Sequence, residues 1–307
     1  MKWSSWTELF KYVIKPFLLA LSLLTRLPVK VSAAEGPDWS RSTAYFPLCG
    51  YILAFLAAVP YMLLCGFSDV LGYFTHNQLA VLAVTLIGDF LFVAGMAWMT
   101  GLLHIDGFCD ACDAFSSMSA TKEDRLKIMK DPHPGAAAVA YLILLLVGKL
   151  IIIFLLIFTA EKHVWQMFYN KYQEGMVDHV GLLKVALAVI PLAFLAASVV
   201  IARFAMVVLA AISRYPRESG TGAVIVGKVP VMSLVIALIW LLPFGFLIPW
   251  RNLLVAFILA FLVMIYWKFR ADRLLGGVTG DILGACCESA ELAVAIGIII
   301  PELVRIG

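Results

Sequence analysis

An all-α, polytopic membrane bundle of about seven transmembrane spans is the fold class this sequence predicts, and three observations predict it. Of 307 residues, 63% are hydrophobic and only 14% charged, where a soluble domain carries about a quarter charged residues. Several apolar runs reach the ~20 residues with which a helix crosses a bilayer. Lys and Arg alternate between rich and poor connecting segments, as successive crossings require. The net charge of +3 is small, and nothing in its distribution suggests nucleic-acid binding. The lipid bilayer is the expected environment, and 1–307 is expected to form a single integral membrane domain.

Residues 1–43 mix Trp3, Trp6, Lys11, Lys15, Arg26, Lys30 and Arg41 with an apolar stretch from Phe17 to Leu24. That stretch is too short to span and reads as an interfacial or partly inserted helix with aromatic and basic anchors. Pro28 disfavours helix at the residue before it and closes the segment. The Trp-rich start has no small-residue cleavage site, so no cleavable signal peptide is expected. The transmembrane bundle then occupies 44–307, with spans expected at about 44–65, 79–103, 135–159, 182–212, 231–248, 253–267 and 281–300. Pro47, Gly50 and Pro60 predict a kinked first span. No internal repeat is visible, which weighs against an inverted-repeat transporter.

The segment before the first span is basic, as are 104–134, 213–230 and 268–281, whereas 66–78 holds no Lys or Arg. The N-terminus and these loops are therefore expected on the cytoplasmic side of the cell inner (plasma) membrane, with the C-terminus at Gly307 outside. Of the six cysteines, Cys49, Cys65, Cys286 and Cys287 lie in apolar runs and read as small hydrophobes. Cys109-x-x-Cys112 has no second pair or nearby His pair to complete a zinc site, so it too reads as structural.

The chemistry gathers in the basic loops. Thr100 to Phe115 places Asp106, Asp110 and Asp113 at i, i+4 and i+7. At about 100° per helical residue they fall within roughly 60° of one another. Like charges on one stripe raise each other's pKa unless a cation sits among them. Oxygen ligands suit Mg²⁺ before Zn²⁺. The plainer alternative is a solvated acidic helix start just outside the membrane. Asp131, in Lys130-Asp131-Pro132-His133-Pro134-Gly135, is either a cap for the third span or a further carboxylate beside the three. Arg214 and Arg217 supply guanidinium groups that hold phosphate or anchor helices at headgroups. Gly276, Gly277, Thr279, Gly280 and Asp281 form a glycine-rich loop entering a helix, which lets backbone amides approach an anion. It lacks the Lys-Ser/Thr of a Walker loop, and the alternative is a tight turn with Asp281 as cap. Asp89, Lys149, Arg203, Glu288 and Glu291 are charges inside spans, which default to function. They either pair between helices or act on a substrate.

TRLP (25–28), AYFPLCG (44–50), GLLHIDGFCDACDAF (101–115), KDPHPG (130–135) and GGVTGDILGA (276–285) resemble the cobalamin synthase family, adenosylcobinamide-GDP ribazoletransferase. The resemblance implies a polytopic inner-membrane, Mg²⁺-dependent transferase. Its substrates would be adenosylcobinamide-GDP and α-ribazole or its 5′-phosphate, with GMP released. It fits Asp106, Asp110 and Asp113 as metal ligands and His104 or Asp131 as base. Arg214, Arg217, Gly276, Gly277, Thr279, Gly280 and Asp281 would then hold phosphates. Two places depart from the family pattern. Leu102 stands where a second Gly is common, and Pro132-His133-Pro134 stands where Ser-Arg-Ile is common. Rival readings are a CDP-alcohol-type lipid phosphotransferase, which also clusters Asp residues at a membrane face, and a transporter. A homo-oligomer is compatible with the sequence.

Overall fold

The computed structural model describes residues 8, 10–31, 35–75, 77–173 and 180–304. Trp3, Trp6, Gly307 and the 174–179 part of the fourth connection lie outside the described residues. A π-helical turn, Phe10–Ile14, leads into α1 (Lys15–Leu24). Leu19, Ala20, Leu21 and Leu24 of α1 are buried. The helix therefore packs on the bundle, and Lys15 is the one expected basic residue that it carries. Lys15 Nζ meets Asp38 Oδ2 at 2.8 Å, which ties α1 to α2 (Gly36–Ser42).

Seven apolar segments then run back and forth. α3 (Phe46–Thr75) and α4 (Gln78–Met99) form the first pair. Two short polar helices, α5 (Leu103–Ser116) and α6 (Lys122–Ile128), interrupt the spanning series. α7 (Ala136–Gln173) and α8 (Val180–Ala211) follow. Next come α9 (Val231–Ile239) and the single turn α10 (Phe244–Leu247), then α11 (Trp250–Leu275) and α12 (Gly280–Val304). Among the described residues, six helices are long and apolar enough to cross a membrane, and Val231–Leu247 is a shorter apolar segment. The molecule is a polytopic helical membrane bundle. The fifth expected span is thus two pieces that break at a turn ahead of Pro243, whose ring removes a backbone donor. The third is longer than expected, because α7 continues past its apolar run through Glu161 to Gln173.

α12 is the axis of the bundle. Ile282, Cys286, Cys287, Ala290, Val294 and Ile298 are fully buried, and α5, α7, α8 and α11 all pack on it. Lipid tails are as apolar as Leu, so helices in a membrane associate through close packing, and small residues permit it. Gly297 shows how close: a Cβ there would lie 2.5 Å from Ala256 Cα of α11. Cys49, Cys109, Cys112, Cys286 and Cys287 are free thiols.

Four of the five intramembrane charges form one buried group. Lys149 of α7 contacts Glu288 and, at 2.6 Å, Glu291 of α12. Arg203 of α8 contacts Glu291 from the other side. Two cations thus meet two carboxylates, and the charges sum to zero. Asp89 of α4 stands apart: it is 1% exposed, and neither carboxylate oxygen has a hydrogen-bond partner.

Candidate functional site

The site begins where α4 breaks. The Thr100 hydroxyl donates to Met96 O at 2.9 Å, and the chain then turns through two left-handed residues, Gly101 at φ 64° and Leu102 at φ 63°. The Thr25–Pro28 segment docks on this turn. Arg26 N donates to Met99 O at 2.7 Å, and the Arg26 side chain lies so close to Gly101 that a Cβ there would sit 2.7 Å from Nε. Leu102 pays for its left-handed backbone with Cβ crowding of about 1–2 kcal/mol. Leu102→Gly is therefore expected to stabilise the protein by about 1 kcal/mol, after the extra entropy of the unfolded glycine. The Tm in detergent would rise by about 2–4 °C, and an unchanged or lower Tm would show that this turn is not strained.

α5 then crosses α12 almost backbone to backbone. A Cβ on Gly107 would lie 2.7 Å from Asp281 O, and one on Gly284 would lie 3.0 Å from His104 Cα. This contact brings Asp281 to the two carboxylates that flank Gly107 on α5, Asp106 and Asp110. All three line one cavity of about 610 Å³, together with Cys109, Asp131 and Pro134. Asp110 shows the expected electrostatics. Partial burial, then the nearby Asp106, Asp281 and Asp113 charges, push its pKa up to about 7, with Arg217 opposing.

Asp113, the third residue of the stripe, has another partner. Its two oxygens accept from Gly135 N at 2.6 Å and Ala138 N at 2.8 Å. It caps α7, the place that sequence reasoning offered to Asp131, and its negative charge suits that helix N-terminus. Asp131 instead accepts from His133 N, and its Oδ1 lies 2.9 Å from His133 Nδ1. These two hydrogen bonds hold its pKa below the usual carboxylate value. His104 is 2% exposed and does not line the cavity. Burial of the ring drives its pKa down to about 3, so the imidazole is neutral, and its Nδ1 has no hydrogen-bond partner.

The two candidate phosphate loops interlock. Arg214 Nε donates to Gly276 O at 2.9 Å, and Val278 N donates to Arg214 O at 2.9 Å. Gly277 is needed for this, since a Cβ there would lie 2.3 Å from Arg214 O. Thr279 is fully buried and receives Ile282 N at 3.4 Å while donating to Asp281 Oδ2 at 3.1 Å. Gly280 is approached by Gly222: a Cβ on Gly222 would be 3.0 Å from Gly280 N. Arg217 Nη1 lies 3.9 Å from Asp281 Oδ2. Asp281 is therefore where the acidic and basic halves of the site meet. Sequence reasoning placed it with the phosphate loop and missed its contact with α5. The signal available was Gly107, a glycine inside a helix, which marks a close backbone approach.

Chemically, the cavity offers hard oxygen donors beside guanidinium groups and backbone amides. Such a set suits a metal-assisted reaction at a phosphate ester or anhydride. Among the described residues no three ligating side chains converge closely enough to hold a metal ion unaided.

Comparisons with known proteins cover nearly the whole chain. The family model for Cobalamin-5-phosphate synthase (CobS) matches residues 16–299. An adenosylcobinamide-GDP ribazoletransferase of Clostridioides difficile (strain 630) is 29% identical over 92% of this chain and 96% of its own length. Proteins of the same name from Klebsiella pneumoniae (strain 342) and Stutzerimonas stutzeri (strain A1501) are 30% and 31% identical, over 91% and 92% of this chain and 97% of each relative. No solved structure matches the chain. With a family match that runs from α1 to the last turns of α12, this chain belongs to the cobalamin-5-phosphate synthase family.

Proposed function

We propose that this chain is an Mg²⁺-dependent adenosylcobinamide-GDP ribazoletransferase. It joins adenosylcobinamide-GDP to α-ribazole, or its 5′-phosphate, and releases GMP. One observation carries the chemistry: Asp281 lies against Gly107, beside Asp106 and Asp110, with Arg217 Nη1 3.9 Å from its carboxylate. Transfer from a pyrophosphate needs both halves of that arrangement, acidic oxygens for a metal and cations for the phosphates. The relatives' common name supports the identity of the substrates.

The donor set fits Mg²⁺. This ion does not need a protein cage, since it is commonly bound through one or two carboxylates plus substrate phosphates. Asp106 and Asp110 would hold it, with Asp281 beside them, while Asp113 keeps α7 in place. When bound, Mg²⁺ neutralises charge that develops on the transferring phosphoryl group. The α-ribazole hydroxyl attacks the phosphorus that bears the cobinamide. An O–P bond forms, the bond to the bridging oxygen breaks, and GMP leaves. Asp131, on the cavity wall and oriented by His133, is placed to take the hydroxyl proton. Arg214, Arg217 and the 276–280 turn position the phosphates. Lys122, Lys127, Lys130, Arg214 and Arg217 all belong to this end of the bundle. That favours a cytoplasmic site in the inner membrane.

The deciding experiment supplies purified protein with adenosylcobinamide-GDP, α-ribazole and Mg²⁺ and looks for GMP together with the joined product. Failure to form either would refute the assignment. A second measurement tests the ligands. Burial and the neighbouring carboxylates push the Asp110 pKa up to about 7, and the group must lose its proton to bind a cation. Mg²⁺ affinity is therefore expected to fall about tenfold between pH 8 and pH 6, with about half a proton released on binding near pH 7. Calorimetry in buffers of different ionisation enthalpy reads both. A pH-independent affinity would remove Asp110 from the ligand set.

A further inference from the structure

The cations around the Gly276 turn outnumber those used so far. Lys122 opens α6, directly after the cap formed by Thr121 and Asp124, and its side chain reaches across to the turn between α11 and α12. A Cβ on Gly276 would lie 2.8 Å from Lys122 Nζ and 3.1 Å from its Cε. Gly276 also ends α11 in the left-handed conformation, at φ 77°, so a side chain is excluded there twice over. On the same turn Arg214 Nε holds Gly276 O at 2.9 Å. Arg217 joins α6 to α12, with Nη2 3.5 Å from Leu126 O and Nη1 3.9 Å from Asp281 Oδ2. Of the two acids in the first turn of α6, Glu123 and Asp124, Asp124 is engaged by Thr121 and Lys127. Lys122 makes no hydrogen bond or ion pair among the described residues. Neither Lys122 nor Arg214 lines the acidic cavity.

An ammonium folded over a glycine turn, beside an Arg already anchored to that turn, makes a compact cationic edge. We propose that Lys122, with Arg214, binds a phosphate of the nucleotide-activated substrate outside the acidic cavity. The pyrophosphate would then run across Asp281, from the carboxylates to this basic edge. Lys122 thereby does from α6 what a P-loop lysine does from within its own loop, as a point charge on phosphate. This proposal rests on the phosphoryl-transfer reading above and adds to it a binding residue donated by a separate helix.

Inorganic pyrophosphate with Mg²⁺ is the probe, titrated into the full chain in phosphate-free nonionic detergent. Lys122→Ala is expected to weaken pyrophosphate binding about tenfold, the effect of one charge-assisted contact, and Lys122→Arg to restore most of it. In turnover, Lys122→Ala should raise the KM for adenosylcobinamide-GDP by a similar factor. The kcat and the KM for unphosphorylated α-ribazole should stay put. Unchanged pyrophosphate affinity, or equal shifts in both KM values, overturns the role of Lys122 while leaving the transferase reading intact. Absence of GMP release from the unaltered protein sinks the transferase reading instead, and the pyrophosphate titration still decides Lys122. A parallel titration in vesicles containing phosphatidylglycerol separates the two sources of phosphate. If that lipid abolishes pyrophosphate binding, the anion at Lys122 is a headgroup and the substrate assignment falls.

Discussion

Glu291→Ala is expected to cost about 3–5 kcal/mol, the penalty for removing one partner of a buried ion pair. Two cations depend on this carboxylate, Lys149 at 2.6 Å and Arg203 through its Nη1. Arg203 is fully buried, its Nε and Nη2 have no hydrogen-bond partner among the described residues, and without Glu291 its Nη1 keeps only the uncharged Val199 O at 2.9 Å. A loss of that size is about a fifth or more of the stability of an ordinary domain, and the variant should accumulate poorly and melt early in detergent. Glu288→Gln is the milder companion, because Lys149 keeps Glu291. If Glu291→Ala melts like the unaltered protein, the group of four charges is not holding α7, α8 and α12 together, and a role exposed to substrate becomes the better reading.

Gly107→Ala is expected to lower turnover about a hundredfold while leaving the bundle folded. Its new methyl would lie 2.7 Å from Asp281 O and 2.8 Å from Asp281 Cα. Backbone atoms are on both sides, so relief requires α5 and α12 to separate by several tenths of an ångström or more. A misplacement near 1 Å between groups that act together costs on the order of 10²-fold, and the carboxylates of Asp106 and Asp110 move relative to Asp281. Helix propensity favours alanine over glycine by about 1 kcal/mol, which offsets part of the packing loss. Activity should therefore fall much further than Tm. Equal losses in the two, or full activity, would show that the α5–α12 crossing does not set the geometry of the site.

Most of the spanning architecture was legible because a helix in lipid needs a long apolar run, and such runs are visible in composition. The exceptions have physical causes. Glu161 to Gln173 read as a connection because it is polar, yet α7 continues through it, since a formed helix propagates at little cost. The 231–248 run read as one helix, but Pro243 divides it. Inside the site, the stripe of Asp106, Asp110 and Asp113 was legible as a stripe and not as a set of partners. The periodicity that aligns three carboxylates on one helix does not tell which neighbouring helix each will meet. Asp113 meets the start of α7, whereas Asp106 and Asp110 face Asp281, a residue far away in sequence that only the glycine contact brings near. The intramembrane charges were legible as a cost needing compensation. That Lys149, Arg203, Glu288 and Glu291 compensate one another, and Asp89 does not join them, depends on helix order.

The length of α7 has a mechanical consequence. Its span of Ala136–Gln173 is, at about 1.5 Å per residue, nearly twice as long as the ~30 Å hydrocarbon layer is thick. Asp113 fastens one end, at the site, through Gly135 and Ala138. The other end packs as well, with Val164 fully buried and the His163 ring 6.5 Å from that of Phe194 on α8. When the surrounding lipid thins or thickens, the length of this rod immersed in it can change at the end away from the site. The fastened end stays in register with the carboxylates, so the site is buffered against the dimensions of its host membrane.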